Sequence, residues 1–306
     1  MTGIEETTEP GGRAGTAGRL IAIGGLADRT RERELLRAFF EAAGGPDANL
    51  VVLALATEPA ELRDLAAAAE RFGDVFYDLG AESVEVLRLG AGAGSSRLDL
   101  LEYATGLFLA GSGPSWLPLP EGIPLGEVVR RRHGEGMVVG GNGAGAAVLP
   151  ELCIAPAGSL PGGAPAGAGR RRPLGLAPGL GLTRGLLLDP PLRQRDRLGR
   201  LFNALAADPT PLAVGIDEDT AVVIDLAGSL EVLGAGAVMV VDATQAVRSG
   251  LAAVDSPPDS PAMLGIRLDL LTAGCGYDLR LRRARPGSTH GANDWMAPSL
   301  DKPQGE

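Results

Sequence analysis

Two histidines, two cysteines and a single lysine, Lys302, are all that 306 residues supply of these types. Their scarcity excludes several chemistries. Cys153 and Cys275 cannot build a disulfide framework, and buried free thiols are the expected state of both. His133 and His290 are too few for a histidine-rich metal site, so neither a metal nor a cofactor is expected. Aromatic residues make up only 4% of the chain, so a core must come from Leu, Val, Ile and Ala, which the 45% hydrophobic content allows. Positive charge is also short. The net charge of −10 argues against nucleic acid and anionic membrane as general partners. No apolar run is long enough to span a bilayer. The acidic opening, MTGIEETTEPGGRAGTAG, lacks the apolar stretch of a secretory signal, so a cytoplasmic protein is expected.

The first half of the chain alternates two patterns. Short apolar runs without a polar face read as buried strands: 19–25, 50–56, 83–89, 106–110 and 137–139. Between them, 30–43, 59–72, 97–103 and 125–132 have helical spacing or helix-forming composition, and Gly44-Gly45 stops the first. This order predicts an α/β fold with a mostly parallel sheet and helices on both faces. Ligands of such sheets bind at the carboxyl ends of the strands. Gly24-Gly25, Gly111-Ser112-Gly113 and Gly140-Gly141 all fall at such ends, and the last pair is expected to turn the chain sharply. After Pro150 the character changes. Residues 156–173 are Gly-, Ala- and Pro-rich and read as a mobile excursion. A strand over 181–188 and a helix over 192–207 follow. Four short β-rich runs between 212 and 242 then predict an antiparallel flank, with a last hairpin from 266–271 and 277–281. One domain over 18–285 is expected, with disordered tails over 1–17 and 286–306.

Chemistry is concentrated in three segments. The run MVVGGNGAGAAV (Met137–Val148) has the strand–glycine–helix frame of a nucleophile elbow, G-x-S-x-G, with glycine at the centre: Gly141-Asn142-Gly143-Ala144-Gly145. The second segment runs from Leu188 to Leu201, LDPPLRQRDRLGRL. The third is Gly215–Ala221, GIDEDTA. Together with the opening RLIAIGG and the run APGLGL (Ala177–Leu182), these motifs resemble, in order, those of the cyanophycinase family of serine peptidases, relatives of the aspartyl dipeptidases. The resemblance extends from about Arg19 to Asp242.

The resemblance implies a flavodoxin-type or glutamine-amidotransferase-type α/β fold. It also implies an activity: cutting the aspartate backbone of cyanophycin, whose side-chain carboxyls carry arginine, to release β-Asp-Arg. The family's elbow is GTSAGA, with the serine as nucleophile; here that position is Gly143. Its catalytic histidine lies in D-Q-H-F; here the run is Asp189-Pro190-Pro191-Leu192, which puts Pro191 at the histidine position. The acid of G-I-D-E is retained as Glu218. The G-G-D-Q turn that helps hold substrate is here Gly111-Ser112-Gly113-Pro114. A hydroxyl needs an adjacent base to become a nucleophile, and neither glycine nor proline supplies a part. Loss of such a triad costs about 10⁶ in kcat. Asp189, Arg195, Arg197, Arg200, Gly111 and Asn142 are candidates for ligand binding. Arg193, Arg197 and Arg200 are spaced for one helical face, and pairing with Asp189 and Asp196 is the alternative reading of it. Three functions stay open. One is a pseudoenzyme that binds cyanophycin or an Asp-Arg-like peptide, or pairs with an active homologue. Another is a working peptidase with a relocated nucleophile, for which Ser112, Ser115 and His133 are the groups to consider. The last is a structural subunit. A homodimer or a heteromer is expected in the first case.

Overall fold

The computed structural model describes residues 18–25, 29–56, 59–90, 97–111, 125–155, 175–192, 197–207, 212–249 and 262–287. The expected tails, apart from 286 and 287, and the excursion over 156–173 lie outside these residues. In chain order the first half is β1 (Leu20–Ile23), α1 (Arg29–Ala42), β2 (Asn49–Ala56), α2 (Pro59–Asp78), β3 (Ser83–Gly90), α3 (Leu100–Tyr103), β4 (Gly106–Leu109), α4 (Leu125–Gly134), β5 (Val138–Asn142) and α5 (Ala144–Ala147). The second half is β6 (Leu152–Ala155), β7 (Gly175–Pro178), β8 (Leu186–Asp189), α6 (Leu198–Ala207), β9 (Leu212–Ile216), β10 (Thr220–Ile224), β11 (Ser229–Gly234), β12 (Ala237–Asp242), β13 (Val247–Ser249), β14 (Ala262–Leu264), β15 (Arg267–Thr272), β16 (Gly276–Asp278) and β17 (Arg283–Arg285).

Nine strands form one sheet in the order β17-β16-β11-β10-β1-β5-β4-β2-β3. From β3 to β1 every ladder is parallel. A parallel pair needs a long crossover, and α1 to α4 supply them. From β1 to β17 every ladder is antiparallel. The α/β class and the antiparallel flank are therefore as the sequence indicates. β1 is the seam, with a parallel neighbour on one side and an antiparallel one on the other. A second sheet, β15-β12-β9-β8, packs against the flank.

Alternation along the central strands divides the core into two. Ile21, Ile23, Leu50, Val52 and Phe108 point to the face covered by α1 and α2. Leu20, Ala22, Val51, Leu53, Leu107 and Val139 point to the other face, against α3, α4, α5 and the second sheet. Few aromatics are available, and four phenylalanines are gathered in one place. Phe39 and Phe76 each lie about 5 Å from Phe108, at 5.1 and 5.3 Å between centroids, and Phe72 lies at 5.0 Å. Each such burial contributes roughly 1.5–3 kcal/mol, with about 0.5–1.5 kcal/mol more for an edge-on pair.

That cluster corrects one expectation. Gly140 and Gly141 do not turn the chain; both are strand residues of β5. A Cβ on Gly140 would come within 2.6 Å of the Phe39 ring, and one on Gly141 within 2.5 Å of the Gly145 carbonyl. These glycines make room for a ring and for the helix that folds back, and the turn itself falls at Gly143. Other boundaries also move. α2 continues six residues past Phe72, to Asp78. The strand expected over 181–188 is confined to Leu186–Asp189, and the helix expected from 192 begins at Leu198. The antiparallel pair β6–β7, on either side of the Gly/Pro-rich stretch, has no counterpart in the sequence reading. The expected last hairpin does not form: β15 pairs with β12 in the second sheet, and β16 pairs with β11 and β17 in the first.

Candidate functional site

The carboxyl end of β1 gathers the candidate residues because its two neighbours deliver one segment each. Ile23 lies opposite Asn142 of β5 on the parallel side and opposite Ala221 of β10 on the antiparallel side. The elbow therefore ends beside Gly24-Gly25 from one direction. The turn between β9 and β10 arrives from the other.

At the elbow the Gly143 N–H donates to the Ile23 carbonyl at 2.9 Å, and the Gly143 carbonyl accepts from the Ala146 and Ala147 N–H groups. The chain thus changes from ladder to helix at one residue. Gly143 has φ 55° and ψ −119°, a backbone conformation that costs a residue with a side chain about 1–3 kcal/mol. The three glycines of the motif differ in what holds them. A Cβ on Gly141 or on Gly145 would meet backbone at 2.5–2.6 Å, whereas one on Gly143 meets no heavy atom of the described residues within 4 Å. The central position has the strand–glycine–helix bend that the sequence motif predicts and, among the described residues, open space where a side chain would stand. Gly111 abuts this turn: its Cβ would lie 2.9 Å from the Asn142 carbonyl. The Asn142 Oδ1 atom is buried and has no hydrogen-bond partner among the described residues.

Glu218 is presented by a turn tied down on all sides. The Gly24 N–H donates to the Thr220 carbonyl at 2.9 Å, and the Asp219 N–H donates to the Gly25 carbonyl at 3.0 Å. Thr220 Oγ1 donates to the Glu218 carbonyl at 3.0 Å and accepts the Gly236 N–H at 2.9 Å. Buried Asp217 accepts the Ala237 N–H at 3.0 Å. Gly24 approaches so closely that a Cβ there would overlap the Asp217 carbonyl oxygen, at 1.9 Å. A Cβ on Gly25 would lie 3.3 Å from Glu218 Cγ and 3.9 Å from Pro191 Cβ. Glu218 and Pro191 therefore converge on Gly25, two residues from the Ile23 carbonyl that holds the elbow. In the sequence the signal for Gly25 is its place, with Gly24, at a strand end.

Pro191 follows β8 through a cis Pro190-Pro191 bond. Asp189, just before it, is 1% exposed. Burial pushes its carboxyl above the usual carboxylate range, and the Arg200 and Arg197 charges pull it back down. Arg197 Nη1 lies 3.6 Å and Arg200 Nε 3.9 Å from Asp189 Oδ1. Arg197 also donates to the Pro190 carbonyl at 2.9 Å, and Arg200 to the Ile154 carbonyl at 2.8 Å. Arg197 precedes the first turn of α6, so the expected basic helical face is instead a fork closing on Asp189. This is the pairing that the sequence offered as the alternative. Arg193, Arg195 and Asp196 lie outside the described residues.

The groups considered for a relocated nucleophile divide in the same way. Ser112 and Ser115 are outside the described residues, as is His290. His133 is 5% exposed and donates from Nδ1 to the Met137 carbonyl at 3.1 Å, and burial holds its imidazole below the usual histidine range. It packs beside Gly18, ahead of β1, at the amino end of the sheet. Seven residues of near-extended chain, roughly 20 Å, separate that end from Gly25. Cys153 and Cys275 are both free. Burial pushes the Cys153 thiol up to about 11, against the pull of Arg200, so it is protonated and unreactive near neutral pH. Among the described residues no cluster of His, Cys, Asp and Glu is gathered to hold a metal ion, and no helix is long and apolar enough to cross a membrane.

No protein-family model matches the chain. Individual relatives do. The chain is 35% identical over 287 residues to a cyanophycinase of Synechococcus elongatus, covering 92% of this chain and 85% of the relative. It is 34% identical over 273 residues to a cyanophycinase of Nostoc sp., covering 87% of each. In three dimensions it is similar to the crystal structure of a peptidase from an acI-B1 Actinobacterium, with a TM-score of 0.58 and 17% identity over 86% of this chain and 97% of that one. That likeness bears on the fold. The identity and coverage of the sequence relatives establish the family: this chain belongs to the cyanophycinases.

Proposed function

We propose that this protein holds a cyanophycin-type, β-Asp-Arg-containing ligand at the carboxyl end of β1 without hydrolysing it. The observation that carries the reading is the elbow itself. Gly143 supplies the bend and the space of a nucleophile but no hydroxyl, and the group beside Gly25 and Glu218 is the Pro191 ring, which accepts no proton. A serine-type acyl transfer needs both missing parts, and the residual effect of binding and backbone dipoles falls about 10⁶ short of a triad in kcat.

What remains suits recognition. Glu218 offers a carboxylate to a ligand guanidinium. Arg197 and Arg200 keep 25% and 26% of their side chains exposed while engaged with Asp189, so a ligand carboxylate can reach them from the solvent side. Asp189 then acts by fixing the two guanidinium groups. Arg195, Gly111 and Asn142 complete the proposed contact set. Calorimetric titration with β-Asp-Arg and with a short cyanophycin segment tests this. Saturable binding that weakens with added salt, and that falls on Arg197→Ala or Glu218→Gln, is expected. No heat and no rise in melting temperature at millimolar ligand would remove the binding role and leave a structural subunit.

A further inference from the structure

His133 stands at the amino end of β1, away from the elbow, and one atom of its ring is unaccounted for. Nδ1 donates to the Met137 carbonyl at 3.1 Å, so the neutral ring presents Nε2 as an acceptor. Nε2 is buried and has no hydrogen-bond partner among the described residues. An acceptor left unpaired in this way costs stability, and an apolar side chain would fill the space without that cost. His133 forms the inner wall of a concavity of about 260 Å³ at this end of the sheet. The register of β1 on β10 builds its base: Leu20 lies opposite Ile224, each 3% exposed, and Leu182 lines it beside them. The rim is polar. Asp225 Oδ1 accepts the Ser229 N–H at 2.8 Å, which fixes that carboxylate where β10 ends. Arg280 lies over Gly228, with Nη2 3.5 Å from the Leu226 carbonyl, and exposed Arg184 enters from the segment before β8.

An apolar base under a rim that carries both signs of charge defines the ligand. Sites for drug-sized molecules measure roughly 300–1,000 Å³, so this one suits something smaller. We propose that the concavity binds a free α-amino acid with an aliphatic side chain. Its carboxylate meets Arg184 and Arg280, its ammonium donates to Asp225 and to His133 Nε2, and its side chain packs on Leu20, Leu182 and Ile224. A simple anion would use the arginines, but it would leave Nε2 unpaired and set its charge beside Asp225. A simple cation would meet the arginines. Only a zwitterion satisfies both sets. The site lies at the opposite end of β1 from Gly143 and Glu218, so it stands apart from the function proposed for that end.

Calorimetric titration of the full chain with L-leucine is expected to show saturable binding. Leucinamide lacks the carboxylate and isocaproate lacks the ammonium, and each should bind about tenfold more weakly or worse. Arg280→Gln changes an exposed side chain and should weaken leucine by about tenfold with the melting temperature unchanged. His133→Asn keeps a donor for the Met137 carbonyl and removes the Nε2 acceptor, and it should weaken leucine by a similar factor. Excess β-Asp-Arg should not displace leucine. No heat with leucine, isoleucine or valine at millimolar concentration overturns the proposal. So does isocaproate that binds as tightly as leucine, since the contact would then be with an anion alone. Leucine that is displaced by β-Asp-Arg, or that binds Arg280→Gln as it binds the parent, overturns it as well, since either would place the amino acid elsewhere on the chain.

Discussion

The elbow and the segment from β8 to α6 meet at the same strand end and are built in opposite ways. At the elbow the backbone decides everything. Gly141 and Gly145 are fixed by close approach of main chain, and Gly143 holds the bend with no described residue within 4 Å of where its side chain would stand. Between β8 and α6 the side chains decide. The half-buried Arg197 and Arg200 form a fork on the buried Asp189, Leu192 fills the space over Gly215, and Pro191 stands where the resemblance expects an imidazole. The contrast teaches that the backbone geometry of this strand end and its side-chain chemistry are held by different residues. The elbow stays bent because its outer glycines and the Ile23 carbonyl bend it, whether or not a hydroxyl is present.

Restoring the chemistry is the strongest way to break this comparison. Gly143→Ser alone should release no β-Asp-Arg, because no base stands beside it. Gly143→Ser with Pro191→His supplies both parts next to Glu218, and release should become detectable but remain several orders of magnitude below that of an intact triad. The resemblance assigns substrate holding to the motif that is altered here at 111–114, and a misplacement of about 1 Å costs ~10²-fold. Full activity in the double variant would show that the turn does not matter.

Next in size are the glycines. Gly145→Ala and Gly141→Ala drive a methyl into backbone and should each lower unfolding free energy by about 3 kcal/mol in urea titration. Gly143→Ala meets only the conformational cost, about 1–3 kcal/mol and below that of either neighbour. Equal losses at the three positions would mean that the elbow is not divided between packing and bend. The smallest effect is at Asp189. Its folded carboxyl titrates above its unfolded value, so the folded state binds more proton between the two. The stability this provides is fully present below the unfolded value and is lost as pH rises through the folded one. The stability of the parent relative to Asp189→Asn should therefore rise on acidification and level off once the carboxyl is protonated in both folded and unfolded states. A relative stability that falls on acidification would mean that the arginines, and not burial, dominate.

Much of the parallel half was legible because its signals are local. Unbroken apolar runs such as LVVLALA (Leu50–Ala56) can only be buried strands, and each is followed by helical spacing. GIDEDTA stands out in the sequence as a motif, and its polar residues Asp217 and Thr220 tie the turn itself. What was not legible depended on distant partners. Gly140 reads as a turn until Phe39, a hundred residues away, is seen over it. The spacing of Arg197 and Arg200 suggests a helical face, and only Asp189, the loop before α6 and the Ile154 carbonyl show where they point. Tyr277 likewise joins the large sheet through β11, a pairing with no trace in the local pattern around Ile266–Leu281.

The most direct measurement pairs binding with turnover on one purified sample. Cyanophycin segments are incubated with the protein, β-Asp-Arg release is followed by chromatography, and binding is followed by calorimetry in the same buffer. Saturable binding with release no faster than in buffer is the expected result. Release that tracks the protein through purification, and that disappears on Ser112→Ala, would contradict it and place a nucleophile on the segment after β4.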